Sequence, residues 1–426
     1  MTSTVARWRN TDPESRLLIA TLLLASTLTV MSGATIAPSL PAIRAHFATV
    51  ENAALLVRLV LTIPALFIAL GAPVAGLVVD RVGRKPMLIA STALYVVAGG
   101  SGYVLATLPS ILVGRAALGL AVAGIMTSAT TLIADYYSGV RREELLGKQA
   151  AFMSFGGVIF LPLGGFLADV GWRVPFLIYV SAAVLVPLMV VAVYEPTIGS
   201  PTRALEPTTC DPATGIPVSR TDGGRSTPSV RPGRVPGKAI SLAYLTALVS
   251  MVIFYMIPVQ IPFYLETLAA TNGSEVGLAI ATMTLVSGVT STQFYRVSAR
   301  LDATGITALV FGFMGVGYVV IGSSNGYSQV IVGLAVSGIG LGLLFPNLNT
   351  WVTDNASEDV RGRVLGGLTS VIFLGQFLSP ILTQPIVTRV GLGTGYNVLG
   401  LVLAGLFVAV VAGGLIGWLE RPESTG

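Results

Sequence analysis

Chemistry-bearing side chains are scarce in this 426-residue chain, which holds one cysteine, Cys210, and one histidine, His46. A single thiol forms no intramolecular disulfide, and one thiol with one imidazole leaves almost no ligands for a metal. No Ser-His-Asp set assembles around His46 alone. No Gly-x-x-x-x-Gly-Lys-Ser/Thr cradle is present, so ATP-driven pumping has no motif to rest on. The sequence therefore predicts no enzyme, no cofactor and no metal site. Charge is thin as well: Asp, Glu, Lys and Arg make up 11% of the chain, less than half the usual share. A soluble protein of this length needs far more charge to cover its surface.

Apolar residues fill the space that charge leaves. They are 53% of the chain, and the mean hydropathy is +0.80. The class is a polytopic membrane protein whose partner is the lipid bilayer. The net charge of +5 does not point to nucleic acid, because the bases sit at helix ends instead of in one patch. Arg7, Arg9 and Arg16 precede an apolar run that continues to about Pro38. That run is too long for a signal h-region and reads as a retained first span.

Twelve runs have about the 20-residue length that a bilayer core requires. They cover 17–39, 53–79, 87–107, 109–134, 149–169 and 173–194, then 239–264, 275–298, 304–323, 327–352, 364–388 and 395–419. With the N-terminus inside, twenty of the 25 bases fall on the inner side. Arg44, Arg173 and Arg389 fall outside, and Arg58 and Arg115 lie within spans. This bias predicts both termini in the cytoplasm. Residues 195–238 differ from the rest: Pro, Gly, Ser and Thr are dense and long apolar runs are absent. They read as a flexible cytoplasmic linker between six-helix bundles at 1–194 and 239–426.

The halves repeat. A shift of 219 residues lays Gly114 on Gly333, Gly119 on Gly338, Asp135 on Asp354, Gly147 on Gly366 and Gly156 on Gly375. Parallel repeats of this kind place a substrate site near the midplane between them.

One loop organises the first half. Gly76, Asp80, Arg81, Gly83, Arg84, Lys85 and Leu88 join the second and third spans. The glycines allow a tight turn, the bases favour the cytoplasmic side, and Asp80 can pair with a base or a helix N-terminus. The segment resembles the loop signature G-x-x-x-D-R-x-G-R-K-x-x-L of the major facilitator superfamily. That resemblance implies an all-α fold of twelve transmembrane helices in two six-helix bundles, with the loop acting as a gate latch for alternating access. In the second half the loop repeats only faintly, through Arg296, Val297 and Arg300, with Tyr295 in place of the acid.

Arg115 lies in the outer third of the fourth span, where two readings stand: a base snorkelling to the headgroups, or one facing a watery cavity. Its repeat mate is Leu334, so the fold itself does not demand a base there. Arg115-x-x-x-Gly119 resembles the fourth-helix motif of proton-coupled facilitator exporters, in which the arginine serves coupling; Leu118 departs from it. Pro162, Gly164 and Gly165 form a degenerate version of the exporters' fifth-helix motif. Asp169, Gly171, Trp172, Arg173 and Phe176 continue a drug-exporter-like pattern.

No acid falls at mid-membrane, so Glu266 and Asp135 stand beside Arg115 as coupling candidates, each equally readable as a solvated interface residue. Arg58, Tyr255, Gln260, Asn347, Trp351 and Gln376 are the substrate-cavity candidates, with interhelical hydrogen bonding as the alternative for each. In the family, helices one, four, seven and ten line the cavity. The resemblance implies a monomeric secondary transporter of the cell membrane that exports amphipathic small molecules against protons. The alternative is an importer or facilitator of a small anionic metabolite, with Arg58 and Arg115 forming an electropositive mouth.

Overall fold

The computed structural model describes residues 15–196 and 237–419, and these are almost entirely helical. Cys210 and nearly all of the 195–238 segment lie outside the described residues. The first half comprises α1 (Arg16–Ala34), α2 (Leu40–His46), α3 (Ala53–Val82), α4 (Arg84–Gly100), α5 (Leu108–Tyr136), α6 (Gly139–Val170) and α7 (Leu185–Ala192). The second comprises α8 (Gly237–Phe254), α9 (Met256–Ala269), α10 (Gly273–Thr292), α11 (Phe294–Ser298), α12 (Ala303–Gly322), α13 (Tyr327–Asn355), α14 (Glu358–Val390) and α15 (Leu392–Leu419). Eleven helical stretches among the described residues are long and apolar enough to cross a membrane. The remaining expected span is α4, which has 17 residues. A 3-10 turn at Ser101–Tyr103 carries it to roughly 30 Å, one hydrocarbon thickness.

Several boundaries differ from the sequence expectation, each for a local reason. The fifth span starts at Gly139, ten residues early. Its first turns are charged but laced by pairs from Arg141 and Lys148 to Glu144, at 2.7 and 2.6 Å. The first span is interrupted after Ala34 by a 3-10 turn at Ala37–Ser39, where Pro38 and Pro41 have no N–H to donate. The seventh breaks at Tyr255, between α8 and α9. Pro258 cannot donate to the Phe254 carbonyl four residues back.

The sixth span is a 3-10 helix over Val174–Val184 before it becomes α7. Three residues per turn eclipse positions three apart, so Phe176 and Tyr179 lie on one line. That line seats against Gly102 and Gly99, also three apart. A Cβ at Gly99 would stand 2.5 Å from Tyr179, and one at Gly102 would strike the Phe176 ring.

The repeat read from the sequence is a repeat of contacts. Gly119 of α5 abuts the Pro64 carbonyl and Phe67 of α3; Gly338 of α13 abuts the Met283 carbonyl and Val286 of α10. All three second-half residues lie 219 positions on. Gly114 packs on α4 and Gly333 on α12. Gly156 packs on Thr27 of α1 and Gly375 on Met251 of α8. Without side chains, these positions let helix backbones approach closely in lipid.

Candidate functional site

Two ends of the helix array can be distinguished without reference to a membrane: a basic end, carrying Arg81, Arg84, Lys85 and Arg141, and a far end. At the far end the halves are closed on one another. Gly165 of α6 meets the Gly273 backbone of α10, and Gly277 meets the Leu161 backbone. Arg58 Nε donates to Gln260 Oε1 at 2.9 Å, and Gln260 Nε2 donates to Gln384 Oε1 at 3.0 Å. This chain runs from α3 through α9 to α14. The Arg58 guanidinium also sits 4.3 Å from the Phe263 ring centroid, and Arg44 stands 5.8 Å from the same ring. At mid-helix the Tyr255 hydroxyl lies 3.1 Å from where a side chain on Gly33 would begin. Ser370 Oγ donates to the Ala69 carbonyl at 3.5 Å, and Pro73 has no N–H for that carbonyl.

A Cβ at Gly76, Gly147, Gly288 or Gly366 would meet nothing within 4 Å. The cross-half contacts named above thus lie at the far end and at mid-helix.

The loop predicted as a latch is built into the first half. Gly83 has φ of +100°, which glycine adopts without strain. A Cβ there would also come 2.8 Å from Glu195 Oε1. Glu195 follows α7, and its carboxylate caps α4: Arg84 N donates at 2.7 Å and Lys85 N at 2.8 Å. Arg84 Nε donates to Asp135 Oδ2 at 3.0 Å, and Lys85 Nζ to the Val190 carbonyl at 2.8 Å. Asp135, named above as a coupling candidate, is thus an ion-pair partner of the loop. Asp80 is 3.9 Å from Arg84 and its side chain is 71% exposed, so the loop's acid is only loosely held in this state. Arg81 is exposed and Gly76 half-buried. Sequence reasoning missed Glu195. Its one signal was an acid directly after an apolar run and before Pro196.

Arg115 neither snorkels nor faces water. It is 1% exposed, and all three of its donor directions are used. Nε donates to the Val60 carbonyl at 2.8 Å, Nη1 to the Tyr179 hydroxyl at 2.9 Å, and Nη2 to the Ser32 carbonyl at 2.5 Å. Each acceptor has a reason to need a donor. Pro64, inside α3, has no N–H for Val60. Ser32 lies in the last turn of α1, where carbonyls lack helical donors and carry the negative end of the dipole. Arg115 is thus a tie among the first, second and sixth spans, and its three partners are neutral.

The remaining candidates divide. Arg58 is 2% exposed and Gln260 fully buried, both within the far-end closure. Tyr255 spans the halves at mid-helix. Asn347 does not face the cleft: its Nδ2 donates to the Ala303 carbonyl and to Thr307 Oγ1, both at 3.0 Å, tying α13 to α12. Trp351 is buried one turn on, and its carbonyl accepts from Asn355 at 2.9 Å. Gln376 is half-buried on α14. Glu266 is exposed and lines a far-end crevice of about 180 Å³ with Asp169, Thr271 and Asn272. It is not among the hydrogen-bond partners of Arg115.

Repeated halves built of membrane-length helices and joined across the far end are the architecture of a multi-pass membrane carrier. A profile of the Major Facilitator Superfamily matches residues 22–380 and again 243–426, and the chain belongs to that family, whose members are transporters and not enzymes. Solved structures agree in fold. An inward-facing, occupied bacterial homologue of the human lysosomal transporter Spinster superposes with a TM-score of 0.70 at 16% identity, covering 95% of this chain and 94% of that one. The inward-open xylose transporter of E. coli gives 0.71 at 14% identity, covering 96% of each. Among curated relatives, Multidrug resistance protein 1 of Bacillus subtilis (strain 168) is 33% identical over 117 residues, 28% of this chain and 30% of that protein. The vesicular acetylcholine transporter of Rattus norvegicus is 30% identical over 198 residues, 44% of this chain and 36% of that protein. The matches thus span about a third of the length of these relatives.

Proposed function

We propose that this protein is a proton-driven exporter of amphipathic small molecules, working by alternating access in the cell membrane. The structure would be its inward-open state, with the basic end and both termini in the cytoplasm. The observation that carries export over anion import is how the two intramembrane arginines use their donors. All three donor directions of Arg115 go to neutral protein acceptors, and Arg58 gives Nε to Gln260 and Nη1 to the Ala54 carbonyl at 2.5 Å. Arg115 is thus committed within the first half through all three nitrogens, and two of the three on Arg58 are taken as well. The likeness to a multidrug resistance protein supports the same reading.

Among the described residues no Asp or Glu is buried, so the coupling proton has no ready-made site in the core. Glu266, in the far-end crevice, is the acid we assign to proton loading. Arg115 contributes by holding the first and second spans in place. Tyr255, Gln260 and Gln376 remain as cavity contacts, exposed in turn as the cleft changes ends. The protein acts as a monomer, with bundles at 1–194 and 239–426 joined by the cytoplasmic linker.

The test is uptake of a panel of lipophilic cations and organic anions into inverted vesicles, with the pH gradient imposed and then collapsed. Gradient-dependent uptake of the cations supports export. Uptake of anions alone, or uptake indifferent to the gradient, contradicts it. Topology has its own check: Cys210 should resist a membrane-impermeant thiol reagent on intact cells and label after permeabilisation.

A further inference from the structure

Asp169 ends α6 at the far end, and its carboxylate reaches across to the other half. Oδ1 accepts from Gly273 N at 2.5 Å and Oδ2 from Ser274 N at 3.1 Å. These are the first two residues of α10. A helix start leaves several N–H groups without partners. Here α10 supplies part of the answer itself through a capping box: Asn272 Oδ1 accepts from Glu275 N at 2.9 Å, and Glu275 Oε2 accepts from Asn272 N at 3.0 Å. The box leaves the donors of Gly273 and Ser274 over, and Asp169 takes both. The backbones beside it are in direct contact, Gly165 against Gly273, so the halves cannot part there while these bonds persist.

We propose that Asp169 is a gating residue: its carboxylate latches the far end shut by completing the cap of α10, and the bond pair breaks each time that end opens. This rests on the alternating-access reading above. It gives the far end a carboxylate latch opposite the loop latch at the basic end. The two differ in occupancy in this state, since Asp169 is engaged across the halves and Asp80 is largely exposed.

The test uses full-length protein carrying Cys210→Ser, with spin labels at Ala106→Cys and Asn325→Cys on the two halves' exposed far-end turns. A second pair at Ser138→Cys and Ala299→Cys reports the basic end. Asp169→Asn should raise the far-open population about fivefold, the ratio a lost helix cap produces, and shorten the basic-end distances in parallel. Gly165→Ala, which drives a methyl into the Gly273 carbonyl, should shift the populations the same way without touching the carboxylate. It serves as the second variant if Asp169→Asn does not purify as a monodisperse protein. A wild type that exchanges between two far-end distances while the variants leave their ratio unchanged overturns the latch. A wild type fixed at one far-end distance, whatever the substrate and pH, overturns alternating access itself and the latch with it.

Discussion

In the first half, Tyr95 and Tyr179 meet edge to face with ring centroids 5.7 Å apart and donate to the Leu28 and Ser32 carbonyls of α1, at 2.9 and 3.0 Å. In the second, Tyr318 and Tyr396 meet edge to face with ring centroids 5.4 Å apart and donate to the Ile253 and Met256 carbonyls, at 2.5 and 3.3 Å. Those carbonyls flank the break at Tyr255. Both halves therefore use paired phenols to hold the irregular span that crosses the centre of the molecule. They part company one helix away. Arg115 stands in the first half where the fully buried Leu334 stands in the second. The same shift of 219 residues sets Pro64 against Met283. Met283 keeps its N–H for the carbonyl four residues back, and Pro64 does not. The base occurs in the half where the proline leaves a carbonyl to be satisfied. The difference teaches that Arg115 answers a local backbone need, and that the fold can be built without it.

The comparison breaks most readily at Arg115. Arg115→Leu, the second half's own solution, strands the Val60 carbonyl in the core and should cost about 2 kcal/mol, the penalty of one buried unsatisfied group. A lowered thermal midpoint in detergent is the measurement, and an unchanged midpoint would sever the link to Pro64. The phenols sharpen it next. Tyr179→Phe removes a donor to Ser32 and an acceptor for Arg115, whereas Tyr396→Phe removes one 3.3 Å bond. The first should destabilise more, by about 1 kcal/mol, and equal midpoints would mean that the Ser32 bond contributes nothing. Glu195→Gln weakens the cap on α4 and should cost up to about 1 kcal/mol. Hydrogen exchange should quicken at the amides of Arg84 and Lys85 while those of α12 hold. The smallest stability effect belongs to Asp80→Asn, within about 0.5 kcal/mol because the acid is exposed. Transport should still fall, since the acid serves the opposite gate state. Normal transport would make the loop an ordinary hairpin.

Much of the architecture was legible because bilayer thickness and hydropathy leave little choice of span. The start of α6 was not, because Arg141, Glu144 and Lys148 look like a loop to hydropathy yet pair along a helix face. Nothing in the sequence flagged the 3-10 form of the sixth span except Gly99 and Gly102, whose spacing matches Phe176 and Tyr179. The latch loop was legible as a motif, but its cap was not: Glu195 lies 111 residues from Arg84. Arg115 was found by type and depth and misread in surroundings, because two of its three partners are backbone carbonyls. Proline at position 64 was the signal, through the carbonyl four residues before it. Asn347 follows the alternative that its sequence left open, interhelical hydrogen bonding, its partners being a helix-start carbonyl and a threonine on the neighbouring span.

The most direct test joins the structural comparison to the function. pH-driven uptake into inverted vesicles is measured for the wild type, for Arg115→Leu, and for Arg115→Leu combined with Pro64→Met. With the proline gone, Val60 regains its helical donor and the first half carries the second half's pair. Uptake should be lost in the single variant and recover substantially in the double. A double variant that folds as stably as the wild type but moves no substrate on a pH gradient would contradict the account, and would show that the charge on Arg115 itself drives coupling.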